Sequence, residues 1–381
     1  MRRQCLYNLL SNSCAELGRF PGLTAGRVPQ HPHLRPKKKN NGLMTAQTEQ
    51  HPATEIPVLD IGPYLAGEPG ALEEIAAQLR HAQENVGFYF IVNHGVSKPL
   101  ISGAYDALRQ FFALPDDEKQ KIRLNPQRTG YVPSKSSVYV TSNVNKNTKP
   151  DLNEVLIYVR DRPADHPAFT AQRSFHGPNQ WPDDATVPGF RARLTDYYAA
   201  IEALGYKMLA VYARALDLPA DYFDRFFEDP MWTTRNAFYQ GSVLAEENQF
   251  GISPHRDHGF ITFLPLSDEP GLQIQTPAGE WIAAEQVKDA IIVNTGEFMN
   301  RWTNGRFIAT PHRVIPPRND RYSIALFFNP TWDTEAIPLE TCVSADNPAQ
   351  FDPINIHDYL DWYINQNFNK DGGGQQGSNN A

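Results

Sequence analysis

His255 and Asp257 stand two residues apart in the segment Ser253-Pro254-His255-Arg256-Asp257-His258-Gly259-Phe260, and Thr310-Pro311-His312-Arg313-Val314 supplies a second histidine far along the chain. Residues two apart on a strand project from one face, so His255 and Asp257 can converge on one metal ion. Two imidazoles and a carboxylate leave coordination positions open, a donor set suited to Fe(II) and oxygen chemistry. It differs from the closed four-ligand cage of structural zinc. His-x-Asp alone is weak evidence, because in a chain with eleven histidines it also arises by chance or as a structural hydrogen bond. His258 adjoins the pair but falls on the opposite strand face, which gives it a supporting or solvent-facing role.

Arg321-Tyr322-Ser323 follows nine residues after His312. Arg321 and Ser323 share a strand face. A guanidinium pairs bidentately with a carboxylate, and a nearby hydroxyl can bond the same oxygens. In an apolar barrel lined by residues such as Ile324, Leu326 and Phe328, an unpaired arginine is costly, and a small dicarboxylate would relieve that cost. The competing reading is a surface arginine paired with Asp320 or Asp333. Other polar candidates have plainer readings: His94 as a turn residue, and Asp151 and Glu154 as loop anchors. Phe226-Phe227 and Phe327-Phe328 read as core packing.

The elements that must position these residues can be read from periodicity. Residues 56–60 form an edge strand, where Pro57 is tolerated. Leu72, Ile75, Leu79 and Ala82 mark a helix over 71–84, followed by a buried strand at 87–92 and a helix from 98 to before Pro115. Residues 125–185, rich in Pro, Ser, Thr and Asn, read as irregular structure. A long helix is expected over 190–216, and Asp221 caps a short one through Phe227. From 233 to 331 short β-rich runs recur at 236–239, 260–266, 271–275, 290–294, 312–315 and 322–328, as in a sandwich or jelly roll. A last helix is expected over 356–364, then a disordered glycine-rich tail.

The chain has 381 residues, 41% of them hydrophobic, and a formal charge of −8. An acidic balance excludes a phosphate-tracking nucleic-acid binder. Residues 1–44 depart from it, with eight Lys/Arg against Glu16 alone. That leader reads as a disordered extension or an upstream start with Met44 the true initiator. A transit peptide and a nucleic-acid- or membrane-touching arm are the other readings. Three cysteines, Cys5, Cys14 and Cys342, give no disulfide framework and suit a reducing, cytoplasmic compartment. No run approaches the roughly 20 apolar residues of a membrane span. A soluble monomer acting on a small-molecule substrate is expected, with no nucleic-acid or membrane partner.

Taken together, His255–Phe260, Asn294-Thr295-Gly296-Glu297, Arg301–Phe307, His312-Arg313-Val314 and Arg321–Pro330 resemble the iron and 2-oxoglutarate-dependent dioxygenase superfamily. More narrowly the chain is similar to the isopenicillin N synthase-like branch. Ile56–Asp60, Gly87–Phe90, Asn93–Val96, Gly130-Tyr131 and Asp151–Glu154 match the amino-terminal motifs of that branch. The resemblance implies an α+β, mainly β fold: a distorted double-stranded β-helix, or jelly roll, with an α/β amino-terminal segment and flanking helices. It divides the chain into a leader at 1–54, an entry segment at 55–185, a catalytic core at 186–340, and a helix and disordered tail at 341–381.

It also implies Fe(II) held by His255, Asp257 and His312. Arg321 and Ser323 would bind the distal carboxylate of 2-oxoglutarate, with Tyr239 reaching the same group. Ala237 stands where many relatives carry asparagine, so the auxiliary cosubstrate contact of that asparagine is missing here. The implied reaction consumes O2 and 2-oxoglutarate, releases succinate and CO2, and hydroxylates, desaturates or cyclises a metabolite. Two other readings remain open: an oxidase of the isopenicillin N synthase type, which uses Arg-x-Ser for its substrate's carboxylate, and a binding protein that kept the fold and lost the chemistry.

Overall fold

A computed structural model describes residues 55–367, so the expectations for the leader and the glycine-rich tail lie outside the described residues. The chain enters along β1 (Val58–Asp60), turns through α1 (Gly62–Leu65) and α2 (Ala71–Asn85), and returns as β2 (Phe88–Val92), which pairs in parallel with β1. α2 buries Ile75, Leu79 and Ala82, spaced four and three residues apart on one face, as read from the sequence. Gly87, at φ +73°, makes the turn into β2. A Cβ there would collide with the Ile308 carbonyl and the Thr310 hydroxyl, so the glycine admits the segment leading to His312. α3 (Lys98–Phe112) and the short α4 (Asp116–Gln120) follow.

Within residues 125–185 the irregular reading is corrected. That stretch holds β3 (Gly130–Val132), β4 (Glu154–Val159) and the short α5 (Pro167–Thr170). β4 reads Glu-Val-Leu-Ile-Tyr-Val and is packed on both faces, so it shows no polar alternation to announce it. Its partner strand lies some 80 residues later, with Leu156 opposite Asn236. Proline-rich flanks mask a strand whose stability comes from that distant pairing.

α6 (Phe190–Ala215) is the long helix expected. Asp221 leads only into a 3-10 turn at Asp224–Phe226. The β-rich half comprises β5 (Thr233–Tyr239), β6 (Ile252–His255), β7 (Ile261–Pro265), β8 (Leu272–Gln275), β9 (Trp281–Ala283) and β10 (Ile291–Thr295). After α7 (Glu297–Trp302) come β11 (His312–Val314) and β12 (Arg321–Phe328). A small hairpin of β13 (Glu335–Ala336) and β14 (Ile354–Asn355) leads into α8 (Ile356–Asn367).

An eight-stranded sheet runs β1-β2-β10-β7-β12-β5-β4-β3, and a four-stranded sheet runs β6-β11-β8-β9. The large sheet carries apolar side chains on both faces. Tyr89, Ile91, Ile291, Val293, Ile324, Leu326 and Phe328 pack with α2, α3 and α6 in one core. Phe88, Phe90, Ile292, Ala237 and Tyr239 pack with Ile252, Ile274 and Val314 of the small sheet in another. Ile324, Leu326 and Phe328 therefore face the helices rather than the barrel interior, correcting the expectation. Gly205 of α6 allows this, since a Cβ there would stand 3.0 Å from the Phe328 ring. Each such fully buried side chain contributes about 1.5–3 kcal/mol of transfer free energy. Two apolar faces give no clue to which side is which.

Candidate metal centre

β6 ends at His255 and β11 opens at His312, and these two residues face each other in the antiparallel ladder between the strands. Asp257 lies beyond the end of β6, where the chain leaves the small sheet to enter the large one as β7. The strand argument that linked His255 to Asp257 is thus replaced by a loop that turns the carboxylate inward. Its backbone is fixed by Glu297, whose amide donates to the Asp257 carbonyl at 2.8 Å.

His255, Asp257 and His312 each present one ligand atom, all within 4.8 Å of one another, and all three residues are buried. Nε2 of His255 is 3.7 Å and Nε2 of His312 is 3.5 Å from Oδ1 of Asp257. The remaining polar atoms are occupied elsewhere. Nδ1 of His255 meets the Ser253 carbonyl at 2.8 Å, and Nδ1 of His312 meets the Thr310 carbonyl at 3.1 Å. A proton on each Nδ1 leaves both Nε2 lone pairs directed at the shared centre. Oδ2 of Asp257 accepts from the Thr262 hydroxyl at 2.6 Å and the Asn294 amide at 2.7 Å, leaving Oδ1 for the same centre. Thr262 was missed from sequence, since it lies on a different strand and belongs to no local pattern. Asn294 was visible only as part of a family motif.

The electrostatics agree with a cation site. Burial works against the Asp257 carboxylate, yet His312 and His255, with the Asn294 bond, hold it well below the usual carboxylate range. Burial, reinforced by His312, brings His255 down to about 3, so its imidazole is neutral. Burial also opposes protonation of His312, but Asp257 outweighs it and raises that group. Two imidazole nitrogens and a carboxylate oxygen aimed at one point fit Fe(II) with positions left open.

Arg321, the first residue of β12, is only 3% exposed, which removes the surface reading. Asp320 instead accepts from the Gly241 amide at 2.8 Å. Nε and Nη1 of Arg321 are buried without a partner. An unmet buried donor costs roughly 1–3 kcal/mol, more when charged, so these atoms call for an anionic acceptor. Tyr239 stands opposite Arg321 across the β5–β12 ladder, and the guanidinium lies 4.9 Å from its ring. Ser323, also buried, follows on the same face opposite Ala237. The triad, Tyr239, Arg321 and Ser323 all line one cavity of about 160 Å³.

α8 covers that cavity with Leu360, Tyr363 and Ile364. Its Asn367 accepts from the Val138 amide through its carbonyl at 3.0 Å and donates to the Thr141 hydroxyl at 2.7 Å. The Tyr363 ring stacks on His258 with centroids 3.4 Å apart. His258 also faces Glu297 at 3.2 Å, which accepts from the Tyr359 hydroxyl at 2.5 Å. His258 thereby packs against the cover and lies outside the converging set of His255, Asp257 and His312.

His94, Asp151 and Glu154 are held by structural contacts, and the core-packing reading of Phe327 is corrected. His94 bonds the Asp289 carbonyl at 3.1 Å and accepts from the Val96 amide at 3.1 Å. Asp151 accepts from the Ser253 amide and hydroxyl, and Glu154 from Lys119 and Tyr131. Phe328 is core, whereas Phe327 lines the cavity.

Residues 56–184 match the family described as non-haem dioxygenase in morphine synthesis N-terminal, and residues 234–330 match the 2OG-Fe(II) oxygenase superfamily. The chain is 33% identical over 326 residues to the 2-oxoglutarate-Fe(II) type oxidoreductase hxnY of Emericella nidulans, covering 83% of this chain and 91% of that protein. It is 36% identical over 314 residues to the 2-oxoglutarate-dependent dioxygenase citB of Monascus ruber, covering 80% and 93%. The crystal structure of a full-length Neurospora crassa protein in complex with alpha-KG matches with a TM-score of 0.71 at 26% identity, covering 81% of this chain and 96% of that one. The two-sheet jelly roll, a triad able to hold iron and a buried arginine with unpaired donors agree with these likenesses. The chain belongs to the 2OG-Fe(II) oxygenase superfamily and is an oxygenase dependent on Fe(II), 2-oxoglutarate and O2.

Proposed function

We propose that this enzyme hydroxylates, desaturates or cyclises a small-molecule metabolite in the cavity beneath α8. Iron is held by His255, Asp257 and His312, and the distal carboxylate of 2-oxoglutarate by Arg321 and Ser323 with Tyr239 beside them. One observation carries the assignment: three ligand atoms turned to a common centre share a cavity with a buried guanidinium whose Nε and Nη1 have no partner. The bound metal and cosubstrate supply the oxidising power, through decarboxylation of 2-oxoglutarate to succinate and CO2.

The protein's own part is orientation and exclusion. Ser253 and Thr310 carbonyls fix the two imidazoles, while Thr262 and Asn294 fix the carboxylate. Phe88, Phe327 and Tyr363 wall the cavity and keep bulk water from the reacting centre. No helix among the described residues is long and apolar enough to cross a membrane. A cytoplasmic monomer without a nucleic-acid partner, with an entry segment at 55–185 and a catalytic core at 186–340, completes the reading.

Adding Fe(II) and then 2-oxoglutarate to the metal-free protein under anaerobic conditions should produce a visible charge-transfer absorption. Admitting O2 should then release succinate. No absorption and no succinate would remove the cosubstrate assignment and leave the isopenicillin N synthase type of oxidase.

A further inference from the structure

Arg235 is one of four arginines on the cavity wall, with Arg128, Arg256 and Arg321, and none of the roles above uses it. On β5 it shares a face with Ala237 and Tyr239, and across the ladder these stand opposite Ala325, Ser323 and Arg321 in turn. Arg235 thus lies four residues along the strand from Tyr239, a separation of roughly 13 Å between backbone positions. Its neighbours in the sheet are Ile157 on one side and the small Ala325 on the other.

The charge on Arg235 has no committed counter-ion. Its Nη2 donates to the Asn153 side-chain oxygen at 2.8 Å, and the Tyr239 hydroxyl lies nearby. Neither group is a carboxylate. Arg160, Arg162, Arg214 and Arg306, by contrast, each meet an Asp or Glu. The acid beside Arg235 is Asp151, whose Oδ1 is taken by the Ser253 amide and hydroxyl and whose Oδ2 has no partner. Burial pushes the Asp151 carboxyl up to about 7, so it does not offer a full negative charge near neutrality. Arg235 lines the same cavity as His255 and Tyr139, and the Tyr139 ring lies 4.8 Å from that of His255. Arg321 has the cosubstrate's distal carboxylate to neutralise it. Nothing equivalent answers Arg235.

Five apolar side chains, Ile157, Phe175, Phe327, Leu360 and Ile364, line this end of the cavity together with Thr233 and Arg128. We propose that Arg235 anchors a carboxylate of the substrate, and that the substrate is a small amphipathic acid whose apolar body lies against these five side chains. The inference rests on the oxygenase reading above and narrows it to a substrate class. The planar guanidinium of Arg235 can grip one carboxylate through two parallel bonds. Charge pairing in a cavity closed by α8 discriminates an acid from its uncharged analogue more strongly than pairing in water.

The test uses the anaerobic enzyme loaded with Fe(II) and 2-oxoglutarate. The probes are straight-chain and phenyl-substituted monocarboxylates of four to ten carbons, each compared with its primary amide by calorimetry. At least one acid should bind the native enzyme about tenfold more tightly than its amide, the effect of about 1.4 kcal/mol. Arg235→Gln should reduce that ratio to within about threefold, Arg235→Lys should keep part of it, and 2-oxoglutarate affinity should change little in either. The proposal is overturned if no acid in the series binds, or if the native enzyme treats acids and amides alike, results that need no variant to fold. It is overturned too if Arg235→Gln weakens 2-oxoglutarate instead, which would place Arg235 in the cosubstrate site. Absence of the charge-transfer absorption in the native enzyme would mark failure of the oxygenase site itself, whereas a normal absorption without acid preference sinks only the role of Arg235.

Discussion

Nε2 of His312 stands 3.5 Å from Oδ1 of Asp257, and neither atom has a better partner, because Nδ1 and Oδ2 are already bonded to Thr310, Thr262 and Asn294. The pair is therefore set for a third body between its atoms, and His255 completes the set from the neighbouring strand. Replacing Asp257 with Ala should abolish stoichiometric Fe(II) binding and lower turnover by at least about a hundredfold. The far-UV circular dichroism should stay native, since the loop backbone is held by Glu297 rather than by the carboxylate. Metal analysis of the purified variant decides it, and retained stoichiometric iron would remove Asp257 from the ligand set.

Arg321→Ala should act on the cosubstrate and spare the metal. The loss of charge-assisted bonds worth about 1.5–3 kcal/mol corresponds to roughly 10- to 150-fold in 2-oxoglutarate affinity. Titrating the charge-transfer absorption measures this directly. An unaltered affinity would assign the orphaned guanidinium to another anion.

Asn294→Ala removes one of the two bonds that hold Oδ2 of Asp257. Loss of such a supporting partner typically costs 10- to 100-fold in metal affinity or activity. Fe(II) dissociation constants for Asn294→Ala and Thr262→Val should both rise, with the fold retained. Unchanged constants in both would mean that the loop alone orients the carboxylate.

Asp151 links the loop before β4 to the Ser253 segment that orients His255. Burial raises its carboxyl from the ordinary 3.8 to about 7. The folded state therefore binds a proton that the unfolded chain releases, and stability due to this group falls as pH rises between those values. Asp151→Asn, which keeps an oxygen for Ser253, escapes the penalty. In the metal-free protein its stability relative to native should increase from about pH 4 to about pH 7 by up to about 1.4 kcal/mol per pH unit, then level off. Urea unfolding at several pH values checks this, and parallel profiles would contradict it.

The amino-acid order alone determined the chemistry of the site and most of the helices. His255, Asp257, His312, Arg321 and Ser323 were singled out by donor type and by likeness to family motifs, although the strand spacing argued for His255 and Asp257 gave way to a loop. α2 and α6 were legible because a helix buries one stripe and repeats it every three or four residues. Only the tertiary structure showed that Asp257 is held by a loop, that Thr262 and Asn294 fix its outer oxygen, and that β4 belongs to the large sheet. It also decided that Ile324, Leu326 and Phe328 face the helices while Ala325 and Phe327 face the cavity beside Arg235. A strand buried on both sides carries no polar alternation, and its register is fixed by partners far away in the chain. Those long-range pairings, which local sequence does not encode, bring Arg235 to the same cavity as Arg321.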